Sequence, residues 1–198
     1  GLTDDAASAE IRAAEAAVDP ADVATMLLSG GTTSLSKLIP RTHEDYVLNA
    51  RLCGRAGGFD AQTVFLVILP LGHNYNLASP GILGAFYVGG TVVLAPSTDT
   101  AEIFRLVQQE RVTVIASVVP LISAWLASDE PKRFDHSSLK VVQNGGARLA
   151  PELRQRLITE LGCTPQEIYG TAEGLINMTR LDDPLDLILH SSGRPVCE

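Results

Sequence analysis

A chain of 198 residues, 45% hydrophobic and 19% charged, holds enough apolar mass for a sizeable core and is too rich in Leu, Ile and Val for a disordered segment. Its net charge of −8 excludes the basic patch of a nucleic-acid binder, so an anionic ligand has to be held by local groups and not by the overall field. No apolar run reaches the ~18 residues a membrane span needs, so no span is expected, and the opening residues are not read as a basic-then-apolar leader. The cysteines Cys53, Cys163 and Cys197 are too widely spaced for a disulfide framework or zinc pattern, so a cytoplasmic protein with reduced thiols is expected, with neither nucleic acid nor membrane as partner.

In chain order, residues 4–18 are rich in Ala and Glu and read as a helix, expected as a lead-in or linker (1–18) to an α/β unit over 19–198. After Asp19-Pro20-Ala21-Asp22, the apolar run Val23 to Leu28 reads as a buried strand. It opens into Ser29-Gly30-Gly31-Thr32-Thr33-Ser34-Leu35-Ser36-Lys37. Such a loop suits a polyphosphate: glycines let backbone N–H groups curl inward, hydroxyls donate hydrogen bonds, and Lys37 brings charge. Thr42 caps a helix with Glu44 and Asp45 in its first turn, running to about Ala56. Thr63 to Leu69 is a β-branched strand, and Pro70 to Ser79 a loop bearing His73, Asn74, Tyr75 and Asn76. Pro80 to Val88 reads as a helix, Thr91 to Leu94 as a strand, Thr100 to Glu110 as an amphipathic helix, Val112 to Val118 as a strand and Pro120 to Ala127 as a helix. Leu139 to Gln143 is a strand ending at Asn144-Gly145-Gly146-Ala147, and Pro151 to Leu161 a helix with proline in its first turn. Gln166 to Tyr169 is a strand entering Gly170-Thr171-Ala172-Glu173-Gly174, and Leu187 to His190 reads as a last strand.

Strands alternating with helices predict an α/β fold with a largely parallel sheet flanked by helices. The polar clusters fall after the strands, where open α/β sheets bind ligands. A Walker loop is excluded, because Ser36 precedes Lys37 where glycine is needed and Leu38 follows it where Ser or Thr is needed.

Ser29 to Lys37 does resemble the phosphate loop of the adenylate-forming superfamily, the acyl- and aryl-CoA ligases and adenylation domains. Three companions stand in register: Pro70-Leu71-Gly72-His73-Asn74-Tyr75, similar to the acid loop of the aryl-acid branch; Gln143-Asn144-Gly145-Gly146-Ala147, similar to the glycine turn; and Tyr169-Gly170-Thr171-Ala172-Glu173-Gly174. The resemblance is greatest to 2,3-dihydroxybenzoate- and salicylate-AMP ligases of siderophore and nonribosomal peptide pathways. It implies one subdomain of the large domain of such an enzyme, in which an aryl carboxylate attacks the α-phosphate of ATP and pyrophosphate leaves. It further implies that Ser29, Gly30, Gly31, Thr32, Thr33 and Lys37 hold the phosphates, Glu173 holds Mg²⁺, Thr171 meets the α-phosphate, and Tyr169 stacks on adenine beside Gly170, Gly145, Gly146 and Ala147. His73 is implied beside the carboxylate, Asn74 and Ser79 at the ring hydroxyls, and Tyr75, Gly145 and Ile176 along the ring. The implied partners are an aryl or peptidyl carrier protein and the remaining ligase subdomains or a second copy.

Two positions depart from the family pattern: Ser34 stands for glycine and Ser36 for proline. No later T-G-D segment and no catalytic-lysine lid is expected in this stretch, so the readings are part of a ligase or a shortened product kept as a non-catalytic interaction module. His43, His136 and His190 are expected in structural or surface roles, and Arg148, Arg154 and Arg156 on a solvated helix face.

Overall fold

The computed structural model describes residues 5–28 and 37–197, with side chains from Ser8 onward. Two compact units make up the chain, Gly1–Val47 and Leu48–Glu198, each taken by itself below.

The first unit holds helix α1 (Asp5–Ala17) and an antiparallel hairpin of β1 (Val23–Leu28) and β2 (Leu38–Thr42). β1 is not the buried strand its apolar run suggested: Met26 and Leu28 are exposed and only Leu27 is buried. The run pairs within a two-stranded ribbon, which cannot cover both faces of a strand. Helix α2 (His43–Ala56) starts as expected, with Thr42 Oγ1 accepting from Asp45 N at 3.3 Å. The phosphate loop, Ser29 to Ser36, lies outside the described residues.

The second unit is built on a seven-stranded sheet. β4 (Thr91–Leu94), β3 (Val64–Val67), β5 (Val114–Ser117), β6 (Val141–Asn144) and β7 (Thr164–Gly170) lie side by side and parallel, in that order. β8 (Ile176–Met178) and β9 (Arg194–Pro195) extend the sheet antiparallel. The β-branched runs are buried on both faces, as a sheet covered by helices on both sides requires. One face packs Leu66, Ile115 and Val142 with Ile103, Phe104 and Val107 of α5 (Thr100–Glu110), Ile122 and Trp125 of α6 (Val119–Ala127), and Leu157 of α7 (Pro151–Leu161). The other packs Phe65, Val67, Ala116 and Val141 with Cys53 and Ala56 of α2 and Ala85 of α4 (Gly81–Tyr87).

Two expectations are corrected. The segment Pro70 to Ser79 is not all loop, because Asn74–Ala78 forms a short helix, α3. Leu187 to His190 is not a strand but the end of helix α8 (Leu185–His190). Six apolar-rich residues cannot be told apart by periodicity. Here the tertiary setting decides, since Arg148 Nη2 donates to His190 O and Arg154 Nη1 to Ile188 O and Ser191 O at the helix C-terminus.

Candidate functional site

The strand order reverses between β3 and β5: the chain first steps from β3 to β4 on one side, then returns to β5 on the other. Open α/β sheets form their ligand crevice at such a point, beyond the carboxyl ends of the strands. Three segments leave the sheet here: α3 after β3, Ser117 at the end of β5, and the glycine turn after β6.

One carbonyl ties them together. Ser117 O accepts from the Tyr75 hydroxyl at 3.3 Å and from Gly145 N at 3.3 Å. The Tyr75 ring lies flush against Gly145: a Cβ there would sit 3.0 Å from Tyr75 Cζ, so only glycine admits the ring without a shift. Gly146 follows at φ +79, a conformation that glycine adopts freely. Burial pushes the Tyr75 phenol well above its ordinary range, so it stays a donor. Tyr75 and Ile176 share one apolar cluster with Phe65, Val67 and Ala116. Three of the predicted ring-wall residues are thus placed in or against a single cluster.

The polar part of the acid loop is equally organised. His73 is the N-cap of α3, its Nδ1 accepting from Tyr75 N at 3.2 Å. An acceptor at Nδ1 leaves the neutral ring with its hydrogen on Nε2, so His73 offers a donor. Asn74 Nδ2 donates to Ser79 Oγ at 3.2 Å. A residue the sequence reading passed over, Asn49 of α2, donates from Nδ2 to Ala78 O at 2.6 Å and to Ser79 Oγ at 3.5 Å. It stands in the buried stripe of α2 with Tyr46, Ala50 and Cys53, and an amide in an apolar stripe is the signal that could have found it.

The last motif lies on a β-hairpin. β7 and β8 pair Tyr169 with Asn177 and Gly170 with Ile176, and Thr171 N donates to Leu175 O at 2.9 Å. Glu173 is exposed on the turn between the strands, and Tyr169 is 53% exposed at the end of β7. Lys37 directly precedes β2 in the first unit. Among the described residues no cluster of three His, Cys, Asp or Glu side chains could hold a metal.

Arg154 overturns the expectation of a solvated arginine face: Arg148 is exposed and Arg156 half-buried, but Arg154 is 1% exposed. It shares the inward stripe of α7 with Leu157 and Leu161. Its Nη2 forms an ion pair with Glu167 Oε2 at 2.9 Å, while its Nε donates to Leu149 O at 2.9 Å. Glu167 in turn holds both ends of the glycine turn, accepting from Asn144 Nδ2 at 3.1 Å and Leu149 N at 3.3 Å. Asn144 Nδ2 also donates to Ala147 O at 2.7 Å. Burial pushes the Glu167 carboxyl above its usual range against the pull of Arg154, and pushes the Arg154 guanidinium down.

Comparison with known proteins places this arrangement. Residues 2–198 match the family described as AMP-binding enzyme. The chain is 47% identical over 179 residues to the 2,3-dihydroxybenzoate-AMP ligase of Bacillus subtilis (strain 168), covering 90% of this chain and 33% of that protein. It is 46% identical over 195 residues to the salicylyl-CoA synthase / salicylate adenylyltransferase of a Streptomyces species, covering 98% of this chain and 35% of that protein. Among solved structures, the apo structure of Mycobacterium smegmatis MbtA superposes with a TM-score of 0.83 at 39% identity, over 91% of this chain and 33% of that one. The chain therefore spans about a third of the length of the curated relatives it matches. With its parallel sheet, reversed strand order and matching motifs, the chain belongs to the family of AMP-binding enzymes.

Proposed function

We propose that this chain is the acid- and nucleotide-binding portion of an aryl-acid-AMP ligase, which joins a hydroxybenzoate-type acid to AMP for transfer to a carrier-protein thiol. The observation that carries the proposal is the convergence on Ser117 O, where the acid loop and the glycine turn meet through the Tyr75 ring at the reversal of strand order. The printed names of the relatives, a 2,3-dihydroxybenzoate-AMP ligase and a salicylate adenylyltransferase, support the same substrate class.

A carboxylate is a weak nucleophile, so catalysis rests on positioning and charge neutralisation. Mg²⁺-bound ATP supplies the electrophilic α-phosphate and the pyrophosphate leaving group. Around it, His73 Nε2–H donates to the acid carboxylate, and Asn74 and Ser79 meet a ring substituent. Tyr75, Gly145 and Ile176 wall the ring, and Tyr169 offers its exposed face to adenine beside Gly146, Ala147 and Gly170. Thr171 contacts the α-phosphate. Glu173 fits Mg²⁺, which binds through one or two carboxylates plus phosphate oxygens and water and does not need an all-protein cage. Ser29, Gly30, Gly31, Thr32, Thr33 and Lys37 hold the leaving phosphates, a role proposed from sequence. The exposed Phe86, Tyr87 and Leu94 suit cover by the rest of the ligase or a second copy.

Titration calorimetry with salicylate, 2,3-dihydroxybenzoate and a non-hydrolysable acyl-AMP mimic tests the proposal. Saturable heat with a hydroxybenzoate and tighter binding of the mimic are expected. Absence of heat and of thermal shift with all three overturns it.

A further inference from the structure

The amide of Asn49 beside Ser79 has a fixed direction. Ala78 O can only accept, so the atom of Asn49 that approaches it at 2.6 Å is the amide nitrogen. The other face of the same amide agrees, with Asn49 Oδ1 accepting from Cys53 Sγ at 3.9 Å. Asn49 Nδ2 therefore has one hydrogen on Ala78 O and the second directed at Ser79 Oγ, 3.5 Å away. Asn74 Nδ2 donates to the same oxygen at 3.2 Å. A hydroxyl has two lone pairs and one hydrogen. Both lone pairs of Ser79 are engaged, and what remains to offer a ligand is the O–H. Asn49 is 7% exposed and Ser79 4%, so water competes poorly for these positions.

We infer that Asn49 sets Ser79 as a hydrogen-bond donor, so that the acid taken here carries a ring substituent that accepts, such as a phenolic oxygen, in preference to an amino group. The inference rests on the acid-pocket reading above. An arylamine delocalises its lone pair into the ring and presents N–H groups, so it would face the Ser79 O–H donor to donor. A buried donor left without an acceptor costs about 1–3 kcal/mol, or roughly ten- to a hundredfold in affinity. Asn49 does not touch the acid and acts as a positioning residue through Ser79.

The experiment is calorimetric titration of the chain with benzoate and two matched pairs, 2-hydroxy- against 2-aminobenzoate and 3-hydroxy- against 3-aminobenzoate, repeated for Asn49→Leu and Asn49→Asp. In the unaltered chain, at least one hydroxy acid is expected to bind about tenfold or more tighter than its amino partner. In Asn49→Leu a lone pair of Ser79 is released, the hydroxyl rotates to accept an N–H, and that ratio falls below about threefold while benzoate binds as before. Asn49→Asp, nearly the same shape, turns the donor into an acceptor that takes the Ser79 hydrogen, and the ratio falls likewise; it serves should the leucine variant fail to fold. An undiminished ratio in either folded variant, or parity of hydroxy and amino acids in the unaltered chain, overturns the inference and leaves the acid pocket standing. Failure of every benzoate to bind overturns the acid-pocket reading and this inference with it.

Discussion

Replacing Arg154 by methionine probes the polar link between α7 and the glycine turn. The variant removes the cation 2.9 Å from Glu167 Oε2, with Arg154 1% and Glu167 4% exposed, and it takes donors from Leu149 O, Ile188 O and Ser191 O. Stranding one partner of a buried ion pair costs about 3–5 kcal/mol, a large part of the 5–15 kcal/mol that holds a domain together. Combining it with Glu167→Gln removes the stranded charge, because a neutral amide oxygen still accepts from Leu149 N. The double variant is expected to recover about 2 kcal/mol relative to the sum of the singles. Urea unfolding followed by fluorescence reads this directly, since Trp125, the sole tryptophan, is 1% exposed. The pH dependence has a definite sign. Burial raises the folded-state pKa of Glu167 above the ordinary carboxylate range, so its contribution is fully present below the unfolded-state pKa and is lost as pH rises through the folded-state pKa. Without Arg154 the carboxyl rises further, and the deficit of Arg154→Met is larger at pH 8 than at pH 5. A cost under about 1 kcal/mol, additive single variants, or a deficit that shrinks with rising pH would refute the reasoning.

Two further outcomes follow from the packing. Gly145→Ala brings a Cβ to 3.0–3.2 Å of the Tyr75 ring, whose hydroxyl is tethered to Ser117 O; it is expected to cost about 1–3 kcal/mol in unfolding free energy and to weaken salicylate binding in calorimetry, and unchanged affinity counts against Tyr75 as the ring wall. The Cys163 thiol is pushed up to about 12 by burial and Cys53 is fully buried, whereas Cys197 is exposed. Native alkylation at pH 7.5 is therefore expected to label Cys197 first, with Cys53 and Cys163 reacting only after unfolding; rapid native labelling at Cys163 would contradict its burial.

The parallel sheet and its helices were legible because their signals are long and redundant: β-branched runs, proline and threonine helix starts, and polar loops that recur after strands. The resemblance singled out Tyr75 and Gly145 from separate motifs, and the fold brings the two into contact. What escaped was tertiary. Val23 to Leu28 carries the same apolar signal as a central strand, and nothing local reveals that among the described residues it pairs with β2 alone. Arg154 looked like its neighbours Arg148 and Arg156, because Glu167, its partner, is distant in sequence and the inward phase of α7 decides which arginine is buried. Asn49 was missed for the same reason, since Ala78 and Ser79 lie some thirty residues further on.

The Ser117 carbonyl also bears on how the molecule assembles. Its bond to Tyr75 closes a separation of 42 residues, and its bond to Gly145 brings in a third strand connection. Contacts of this range form only after loop-closure entropy has been overcome, so a partly assembled sheet lacks this junction, and with it the acid wall proposed for it. Ligand affinity and global cooperativity are thereby linked. A ligand that recognises this junction binds the complete sheet and no sub-structure of it, and at a hundredfold excess over its Kd it holds the whole unit folded by about 2.7 kcal/mol.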